Sequence, residues 1–528
     1  MKRRTFVQIG TVLVLSTMLS ACGGNNGGNA VNEANSGTDT KVNEAAGTNE
    51  PATSETTEPA APENEEPTEI TIMLPLNVAQ TPPDTIKNEI EKLTNTKLTY
   101  QFFPADTYED KLNATMATGA LPQVTYLKNQ ATFMQMKGAI RDGQFWEIGP
   151  LLGEFPNLSK LKPLILNNTK VDGKLFSLYI GRPLARQGII YRKDWADKLQ
   201  LKTPETVDDV IAMAKAFTEK DPDGDGKPNT IGLADRNDLI YGAFKTVASW
   251  YATPNNWGEK DGKLQPDFMF PQYAAAMDFM KTIRDAGAMN KDFAATSKTD
   301  QVSLFTSGKA GMYIGAMSDV DSLNKDLIKN VPTAAIDTLA LIKGPNGELA
   351  TWAIPGYNNV VLFPKSAIKD EGELKKVLTF YDKLMTPEVA NVMFWGIEGK
   401  HYTVENGKAK VTEDSDLIER EVKGFKDSLV GESETNGMYE GYYALPGRIH
   451  AEQFTKENEK IAILDPAAAL DSQTFTEKGV ELQTLITDAT YQYIYGKIDK
   501  AGFDKAIEDW RKRGGDQIIE EYNAVYQK

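Results

Sequence analysis

A strand–helix–strand pattern that begins near residue 69 constrains the fold more than any other feature of this sequence. Apolar residues alternate with polar ones over residues 70–74 and again over 98–102, and the stretch between them has helical spacing. Two such strands pair in parallel, because the crossover helix brings the second strand alongside the first in the same direction. Strand-like patterns recur at 123–127 and 188–195. The sequence therefore predicts an α/β fold of mostly parallel sheets flanked by helices.

A helix with readable ends follows the last of these strands. Thr203 is a predicted N-cap, and Pro204 suits the first helical position. The helix must end before Asp221, because the residue that precedes a proline avoids helical geometry. Apolar side chains recur at helical spacing between these ends and predict one buried stripe, which consists of Val207, Val210, Ile211, Ala214 and Phe217.

The first residues of the chain predict export. Basic residues precede an apolar run that is too short to span a bilayer, so residues 1–21 are typical of a signal peptide. The run ends in LSAC, a sequence typical of a bacterial lipobox, in which the thiol of Cys22 receives diacylglycerol and the residue then carries further acyl chains such as palmitate. A chance cysteine behind an ordinary signal is the alternative. Cys22 is the one cysteine in the chain, which excludes an intramolecular disulfide.

Composition limits both the next segment and the partners of the chain. Residues 22–68 lack aromatic residues, Leu, Ile and Met, so they cannot bury a core and are predicted to form a disordered acidic tether. The 528 residues carry a formal charge of −16, which argues against nucleic acid and anionic lipid surfaces as partners. The same charge mildly disfavours polyanionic ligands, although local Lys and Arg residues can reverse that preference.

The loop DPDGDGKPNT, residues 221–230, has the pattern of a metal site. Carboxylates at alternating positions, followed by a glycine for the sharp turn, match the start of a calcium-binding loop. Oxygen ligands without His or Cys favour calcium over zinc or copper. The predicted ligands of a structural calcium are Asp221, Asp223, Asp225, the carbonyl of Lys227, Asn229 and Thr230. The acid that usually closes such a loop is replaced by Gly232, which lowers the expected affinity, and a solvated acidic turn is the alternative.

Motifs of common hydrolases are missing from the sequence. Two histidines, His401 and His450, are too few for a histidine-rich zinc site, and GxSxG, Walker and GxGxxG motifs are lacking. We therefore predict that the protein is not an enzyme. An exported carbohydrate-active hydrolase or lyase that uses two carboxylates is the alternative, because the 74 acidic residues supply many pairs that spacing cannot separate.

Eight blocks of the sequence match a known family in order and spacing. They are ATGALPQV (117–124), VDGKLFSL (171–178), YRKDWADKLQLKTPETVDDV (191–210), DPDGDGKPNTIGL (221–233), FTSGKAGM (305–312), MTPEV (385–389), EGKHYTVENGK (398–408) and GGDQIIEEYN (514–523). Together they resemble the lipid-anchored solute-binding proteins of bacterial carbohydrate ABC transporters, including calcium-containing oligosaccharide- and alginate-binding members. The resemblance implies two α/β lobes that are joined by crossover strands and close over a ligand in the cleft between them.

The resemblance also implies boundaries, partners and a location. Lobe 1 is expected at 69–190 and 353–398 and lobe 2 at 191–352 and 399–528, with crossings near Tyr191, near Trp352 and from Trp395 to His401. The implied protein is a monomer, lipid-anchored at the extracellular face of the cell membrane, that captures an oligosaccharide and delivers it to ABC permease subunits. A surface adhesin lipoprotein is the alternative, which explains the anchor but not the matched blocks.

Sugar recognition needs aromatic faces and planar polar groups that take two hydroxyls at once. Aromatic residues in ASWYATPNNW lack the period of a buried stripe, and others lie near the expected crossings or beside glycines. The predicted ligand-binding residues are Trp250, Tyr251, Trp257, Trp352, Trp395, Glu398, His401, Tyr402, Tyr313 and Arg182. Core packing is the alternative for each aromatic residue, and the sequence does not distinguish a uronic-acid oligomer from a neutral oligosaccharide.

Overall fold

The computed structural model describes residues 66–526. The predicted signal peptide, the predicted lipidation site Cys22 and nearly all of the predicted tether lie outside the described residues. The first strand begins at Thr68, one residue before the predicted start of the folded part. Within residues 66–526, every helix is too short or too polar to cross a membrane.

Strands and helices alternate along much of the described chain. The strands are β1 (Thr68–Leu76), β2 (Thr96–Pro104), β3 (Val124–Leu127), β4 (Ser177–Gly181), β5 (Gln187–Arg192), β6 (Ile231–Ala234), β7 (Trp257–Lys260), β8 (Lys263–Pro266), β9 (Ala310–Ala316), β10 (Ile336–Leu339), β11 (Thr351–Trp352), β12 (Tyr357–Leu362), β13 (Tyr402–Glu405), β14 (Lys408–Val411) and β15 (Ala462–Ile463). The helices are α1 (Thr85–Thr94), α2 (Tyr108–Ala117), α3 (Gln130–Arg141), α4 (Pro163–Asn168), α5 (Lys193–Lys198), α6 (Val207–Glu219), α7 (Ala243–Trp250), α8 (Pro271–Asp285), α9 (Lys298–Thr306), α10 (Val320–Asn330), α11 (Glu371–Leu384), α12 (Pro387–Trp395), α13 (Ser415–Glu421), α14 (Lys423–Lys426), α15 (Ser433–Asn436), α16 (Pro446–Glu459), α17 (Gln473–Ile494), α18 (Lys500–Trp510) and α19 (Asp516–Tyr526).

The first lobe is built on a five-stranded sheet in the order β2-β1-β3-β12-β4. Strand β1 is parallel to β2 and to β3, as the strand–helix–strand pattern predicts, and Ile70 pairs with Leu98. Strand β12 runs antiparallel to both β3 and β4. One apolar face of each of α1, α2, α3, α11 and α12 packs on this sheet and forms a single core with it.

The second lobe is built on a four-stranded sheet in the order β10-β5-β9-β6. Strand β5 is antiparallel to β9 and β10, whereas β6 is parallel to β9. Side chains of α6, α7, α8, α17, α18 and α19 share a core with this sheet. A smaller cluster, to which α9, α10 and α16 contribute, includes the buried side chains of Phe305, Leu327 and Ala451.

Two α/β lobes are present as predicted, but their sheets are mixed and not mostly parallel. A local strand–helix–strand unit produces parallel neighbours, which is what the sequence pattern reports. Strands that follow a crossing, β5 and β12, enter their sheets from the other lobe and run antiparallel to their neighbours. The direction of such a strand depends on contacts that are distant in the chain, so local periodicity does not predict it.

Helix α6 confirms the predicted buried stripe but begins later than predicted. Val207, Val210, Ala214 and Phe217 are buried and Ile211 is half-buried. The cap is Thr206 and not Thr203, because the Thr206 hydroxyl accepts from the Asp209 N–H (3.2 Å) while the Asp209 carboxylate accepts from the Thr206 N–H (3.0 Å). This reciprocal capping box satisfies two backbone donors, which Thr203 cannot do from outside the helix.

The chain crosses between the lobes three times within residues 66–526. The first crossing joins β4 to β5 through residues 182–186, and the second joins β11 to β12 beside Trp352. The third lies after Tyr442, whose N–H donates to the carbonyl of Ala409 (2.8 Å), and leads to α16, which bonds to β10 through Gly447. The first crossing thus lies before Tyr191, which is already part of the second sheet.

The third crossing was predicted at Trp395 to His401, and that position is wrong. Helix α12 ends at Trp395, but the chain then turns back into the β13–β14 hairpin and the helices α13 and α14. Four side chains behind the hairpin complete the first core, namely Val422, Phe425, Leu429 and Val430. Residues 399–442 therefore belong to the first lobe and not to the second.

An ion bridge joins the lobes beside the second crossing. The ammonium of Lys137 and the guanidinium of Arg141, both on α3, lie 2.5 and 2.6 Å from the two carboxylate oxygens of Asp471. Asp471 directly precedes Ser472, the N-cap of α17 in the second lobe. The Lys137 side chain is 6% exposed, so its charge depends on this one carboxylate.

Candidate ligand cleft and metal loop

Two arginines, Arg182 and Arg186, lie on the first crossing. The first two crossings run side by side here, because the Arg182 N–H donates to the carbonyl of Gly356 (2.9 Å) and the Ile354 N–H donates to that of Leu184 (2.8 Å). Backbone hydrogen bonds therefore hold both arginines at the junction of the two lobes. Arg182 was predicted from the sequence, whereas Arg186 was missed.

The side chain of Arg182 is half-buried and is surrounded by groups from both lobes. Burial and the positive charge of Arg186 lower the pKa of Arg182, while Tyr126, Asp427 and Tyr241 act in the opposite direction. Tyr126 and Asp427 belong to the first lobe and Tyr241 to the second. The guanidinium therefore lies where both lobes face the crossing, which is the floor of the interlobe cleft.

Neither arginine of the first crossing forms an ion pair among residues 66–526, and the Nε of Arg186 is buried without a hydrogen-bond partner. Other buried arginines of the second lobe are paired, as Arg192 is with Asp194 (2.6 Å) and Arg236 with Asp238 (3.1 Å). A cation that has lost part of its hydration is costly unless an anion approaches it. The two guanidinium groups therefore retain the capacity to pair with an anionic group.

An aromatic surface from the second lobe faces this floor. Tyr241 is 46% exposed, and its ring centroid lies 5.8 Å from that of Trp352. Hydrogen bonds hold the turn that carries it, since Asp238 accepts from the Tyr241 N–H (2.9 Å) and Asp235 from the Ala243 N–H (2.9 Å). A preorganised exposed ring is the group that packs against the C–H face of a sugar. The sequence prediction named Trp352 but missed Tyr241.

Trp352 and Tyr313 lie behind this aromatic surface. Trp352 is 3% exposed, and its indole N–H donates to the hydroxyl of Thr246 (3.1 Å) while the Lys245 ammonium lies 4.9 Å from its ring. Tyr313 is buried, and its hydroxyl donates to Asp319 (3.0 Å). Both side chains are buried in the second lobe, and Trp352 contacts the exposed Tyr241 ring.

The structure places Trp250, Tyr251 and Trp257 in the core of the second lobe. Trp250 ends α7 and packs edge-to-face on Phe279, with ring centroids 6.2 Å apart. Trp257 packs in the same way on Tyr522 (4.7 Å), and Tyr251 is half-buried against Phe279. The prediction that these rings face ligand is therefore corrected, because α7 continues through Trp250 and the rings complete helix packing.

The candidates around the predicted third crossing stabilise the first lobe. Trp395 donates its indole N–H to the Tyr439 carbonyl (2.9 Å), and Tyr402 is buried in the same small cluster. His401 is buried, accepts from the Ile397 N–H at Nδ1 (2.9 Å) and lies 3.2 Å from Glu421 through Nε2. Burial lowers the pKa of His401. Glu398 is exposed on the adjoining loop, away from a cleft floor that lies elsewhere than predicted.

The predicted metal loop brings its three aspartates together. Asp221, Asp223 and Asp225 each offer an oxygen within 4.8 Å of the others. Gly226 has φ 76°, a conformation that favours glycine, and a Cβ there would have open space around it. Partial burial and Asp221 raise the pKa of Asp223, as expected for carboxylates held near one another. All donors are hard oxygens, so the loop fits calcium.

The three other predicted ligands already form hydrogen bonds within the protein. The Thr230 hydroxyl donates to the carbonyl of Phe217 (2.8 Å) and anchors the loop to α6. The Asn229 amide donates to Asp225 (2.9 Å), which leaves its own carbonyl oxygen for a cation. The Lys227 carbonyl already accepts from the Asn229 N–H (2.9 Å) and retains a second lone pair.

Sequence reasoning missed Arg186, Tyr126 and Tyr241 in the cleft. A detectable signal existed for Arg186, because Arg182 and Arg186 stand four residues apart between two apolar strand patterns. Tyr241 carried no such signal, since its exposure results from the turn held by Asp235 and Asp238. Tyr126 carried no signal either, because it is a buried residue of β3 whose hydroxyl donates to the Asp427 carbonyl (3.0 Å).

Two α/β lobes joined by three crossings, with a cleft at the junction, define a protein that binds a solute between hinged lobes. The family model for bacterial extracellular solute-binding proteins matches residues 79–391, which is more than half of the chain, so this chain belongs to that family. Its members are binding proteins, which confirms the prediction that the chain is not an enzyme.

Curated relatives cover nearly the whole of this chain. It is 44% identical over 452 residues, 85% of this chain and 89% of the relative, to the polygalacturonan/rhamnogalacturonan-binding protein YtcQ of Bacillus subtilis (strain 168). It is 33% identical over 483 residues, 87% of this chain and 92% of the relative, to lipoprotein LipO of the same strain.

Solved structures share the fold at low identity. An HMO-binding solute-binding protein associated with an ABC transporter, from Bifidobacterium longum infantis, superposes with a TM-score of 0.68 at 16% identity and covers 88% of this chain and 99% of its own. An EF-hand mutant of the S. pneumoniae ABC-transporter binding protein FusA, in complex with fructo-nystose, superposes with a TM-score of 0.62 at 17% identity, over 87% of this chain and 99% of its own. Such likeness confirms the predicted two-lobed fold.

Proposed function

We propose that this protein captures an oligosaccharide that contains galacturonic acid and delivers it to the permease subunits of an ABC transporter. The observation that carries the proposal is the pair Arg182 and Arg186, which lies unpaired at the cleft floor between the lobes. A uronate supplies the carboxylate that two partly desolvated guanidinium groups lack. The printed name of the relative YtcQ, at 44% identity, supports the same ligand class.

Lobe closure follows from the placement of these groups. Tyr126 of the first lobe and Tyr241 of the second both lie near enough to Arg182 to influence its charge, so a sugar bound at the crossing would have groups of both lobes within reach. A ligand favours the closed state only through contacts that are better in that state. A ligand can place a carboxylate on the arginines of the crossing and a sugar ring against Tyr241 of the second lobe. Such a ligand provides these contacts because it joins the crossing to that lobe.

The net negative charge of the chain does not oppose an anionic ligand here. A charge distributed over an acidic surface is screened within about 8 Å at physiological ionic strength, whereas two cations at the cleft floor act at contact distance. The two arginine charges at the site therefore matter more for binding than the net charge of the chain. They reverse the mild preference against polyanionic ligands that the net charge predicts.

The N-terminal lipid and the calcium loop belong to the same proposal. Lipid attachment at Cys22 would hold the protein at the outer face of the membrane beside its permease, and the relative LipO carries lipoprotein in its name. Calcium at Asp221, Asp223 and Asp225 would rigidify the connection between α6 and β6 and would take no part in chemistry on the ligand.

Isothermal titration with galacturonate trisaccharide tests the ligand class. We expect binding that is at least about 30-fold tighter than binding of a neutral galactose trisaccharide, because each lost charged contact costs about 2 kcal/mol or more. The affinity should fall as salt is raised, and methyl esterification of the carboxylates should remove most of it. Equal affinity for charged and neutral trisaccharides would contradict the proposal.

Calcium should raise the thermal midpoint of the protein. At 10 mM calcium and a dissociation constant on the order of 10⁻⁴ to 10⁻³ M, the native state gains about 1.4 to 2.7 kcal/mol, which predicts a rise of a few degrees in calorimetry. The double variant Asp223→Asn with Asp225→Asn should lose this response. Glu219→Gln, an exposed change at the end of α6 that removes one carboxylate outside the loop, is the control and should keep it. A double variant that responds like the native protein would exclude the loop as the site.

A further inference from the structure

A lysine near the third crossing stands out among the cations of the first lobe. Lys426 is the last residue of α14, and its ammonium lies 3.8 Å from the ring centroid of Phe394 and 5.3 Å from that of Trp395. Within residues 66–526 no carboxylate approaches it within ion-pair distance, whereas nearby lysines are paired, as Lys423 is with Glu419 (2.8 Å) and Lys400 with Glu421 (2.7 Å).

The neighbour of Lys426 fixes this segment rigidly. The Phe425 ring packs edge-to-face on Tyr100 and Phe102 in the first core, with centroids 5.3 and 6.0 Å apart. The Trp395 ring beneath the ammonium is itself held by its hydrogen bond to the Tyr439 carbonyl. The cation therefore stands on an immobile aromatic base, and its position is set before any ligand arrives.

The segment adjoins the cleft floor. Asp427, the next residue, accepts from the Tyr126 hydroxyl through its carbonyl (3.0 Å) and is one of the groups that face Arg182. Lys426 is thus one residue from the first-lobe group that faces Arg182, and its ammonium lies over Phe394 and Trp395.

A cation of the second lobe, Arg448, lies near enough to Lys426 to influence its charge. Arg448 of α16 is close enough to oppose its charge, and burial together with Arg448 lowers the pKa of Lys426 although Asp427 acts in the opposite direction. Arg448 is satisfied by Asp321 (2.8 Å) and Glu452 (2.6 Å). Lys426 has no carboxylate within ion-pair distance among the described residues, so its repulsion from Arg448 is not offset by an ion pair of its own.

We propose that Lys426, on its base of Phe394 and Trp395, is a specificity-determining subsite that binds a second carboxylate of the ligand, one or more sugars away from the carboxylate at Arg182. The inference rests on the proposed function. It extends that function from the recognition of one uronate to the recognition of two ligand carboxylates at a defined spacing. A carboxylate here would neutralise Lys426 and reduce its repulsion from Arg448, so it would favour closure of the lobes. A neutral sugar cannot stack on the Phe394 face that the ammonium covers.

A length series of galacturonate oligomers tests the subsite. For the native protein, affinity should rise about tenfold or more at the length that first reaches Lys426. In Lys426→Gln that step should disappear while shorter oligomers bind as before, and Lys426→Arg should restore it. Lys423→Gln, three residues away and paired on the surface, is the matched control and should keep the step.

Thermal midpoints separate a binding role from a structural one. Lys426→Gln should unfold close to the native temperature, because the loss of the ammonium contact with Phe394 is offset by removal of an unpaired and partly buried charge. If Lys426→Gln keeps the native length profile, the subsite is wrong while the proposed function stands. If the native protein binds no galacturonate oligomer at any length, the proposed function fails and the subsite fails with it.

Discussion

Replacing Arg182 with glutamine is expected to weaken binding of galacturonate trisaccharide about 100-fold, or about 2.8 kcal/mol. Arg182 is half-buried on the first crossing and is not in an ion pair within residues 66–526, so its guanidinium donors are available to the ligand. A charge-assisted, bidentate contact to a carboxylate in such a site is among the strongest that one side chain makes. Isothermal titration of the purified variant measures the change.

Two further variants make the test of Arg182 specific. Arg182→Lys should recover only part of the affinity, since an ammonium keeps the charge but cannot present two parallel donors. Arg513→Gln removes the same charge from an exposed position in the second lobe and should bind as the native protein does. Native affinity in Arg182→Gln would show that the ligand carboxylate lies elsewhere.

Trp250→Ala is expected to destabilise the protein by about 4 kcal/mol without weakening the ligand contact of the molecules that remain folded. The Trp250 ring is 3% exposed and packs on Phe279 in the core of the second lobe. Its removal leaves a large cavity between α7 and α8 that the surrounding helices cannot fill. The fall in thermal midpoint measured by calorimetry gives the effect, and titration below the new midpoint gives the affinity.

Tyr251→Ala is the matched control for Trp250→Ala. Tyr251 packs on the same Phe279 ring but is half-buried, so its loss should cost clearly less. A Trp250→Ala variant with a native midpoint and reduced affinity would reverse our interpretation, since it would place Trp250 at the ligand as the sequence pattern alone indicated.

The fold was predictable where neighbours in sequence decide the structure. The alternation at 70–74 and 98–102 became two parallel strands, and the residue before Pro222 ended α6 as expected. The aspartates at alternating positions converged because a short loop brings them together with no help from the rest of the chain. In each case a local backbone preference and its physical cause were both legible in the sequence.

The cleft was less predictable, because distant segments assemble it. The sequence does not tell an exposed aromatic residue from a buried one. Whether Trp250 or Tyr241 is exposed depends on where α7 and the turn before it lie in the fold. The third crossing was misplaced because Gly396 ends α12 as a crossing would, yet the chain returns to pack Phe425 on Tyr100. Arg182, which the sequence predicts from the short YIGRP stretch, lies on the first crossing, and its contact with ligand stays a prediction.

The bridge from Lys137 and Arg141 to Asp471 has a consequence for the rate at which the protein opens. It lies beside the second crossing, close to where a hinge has its axis, and points near an axis move little when the bodies on either side rotate. The bridge can therefore stay closed through the whole cycle of capture and release. Lys137 then never has to regain its hydration, and opening avoids an activation barrier that the same ion pair at the rim of the cleft would impose.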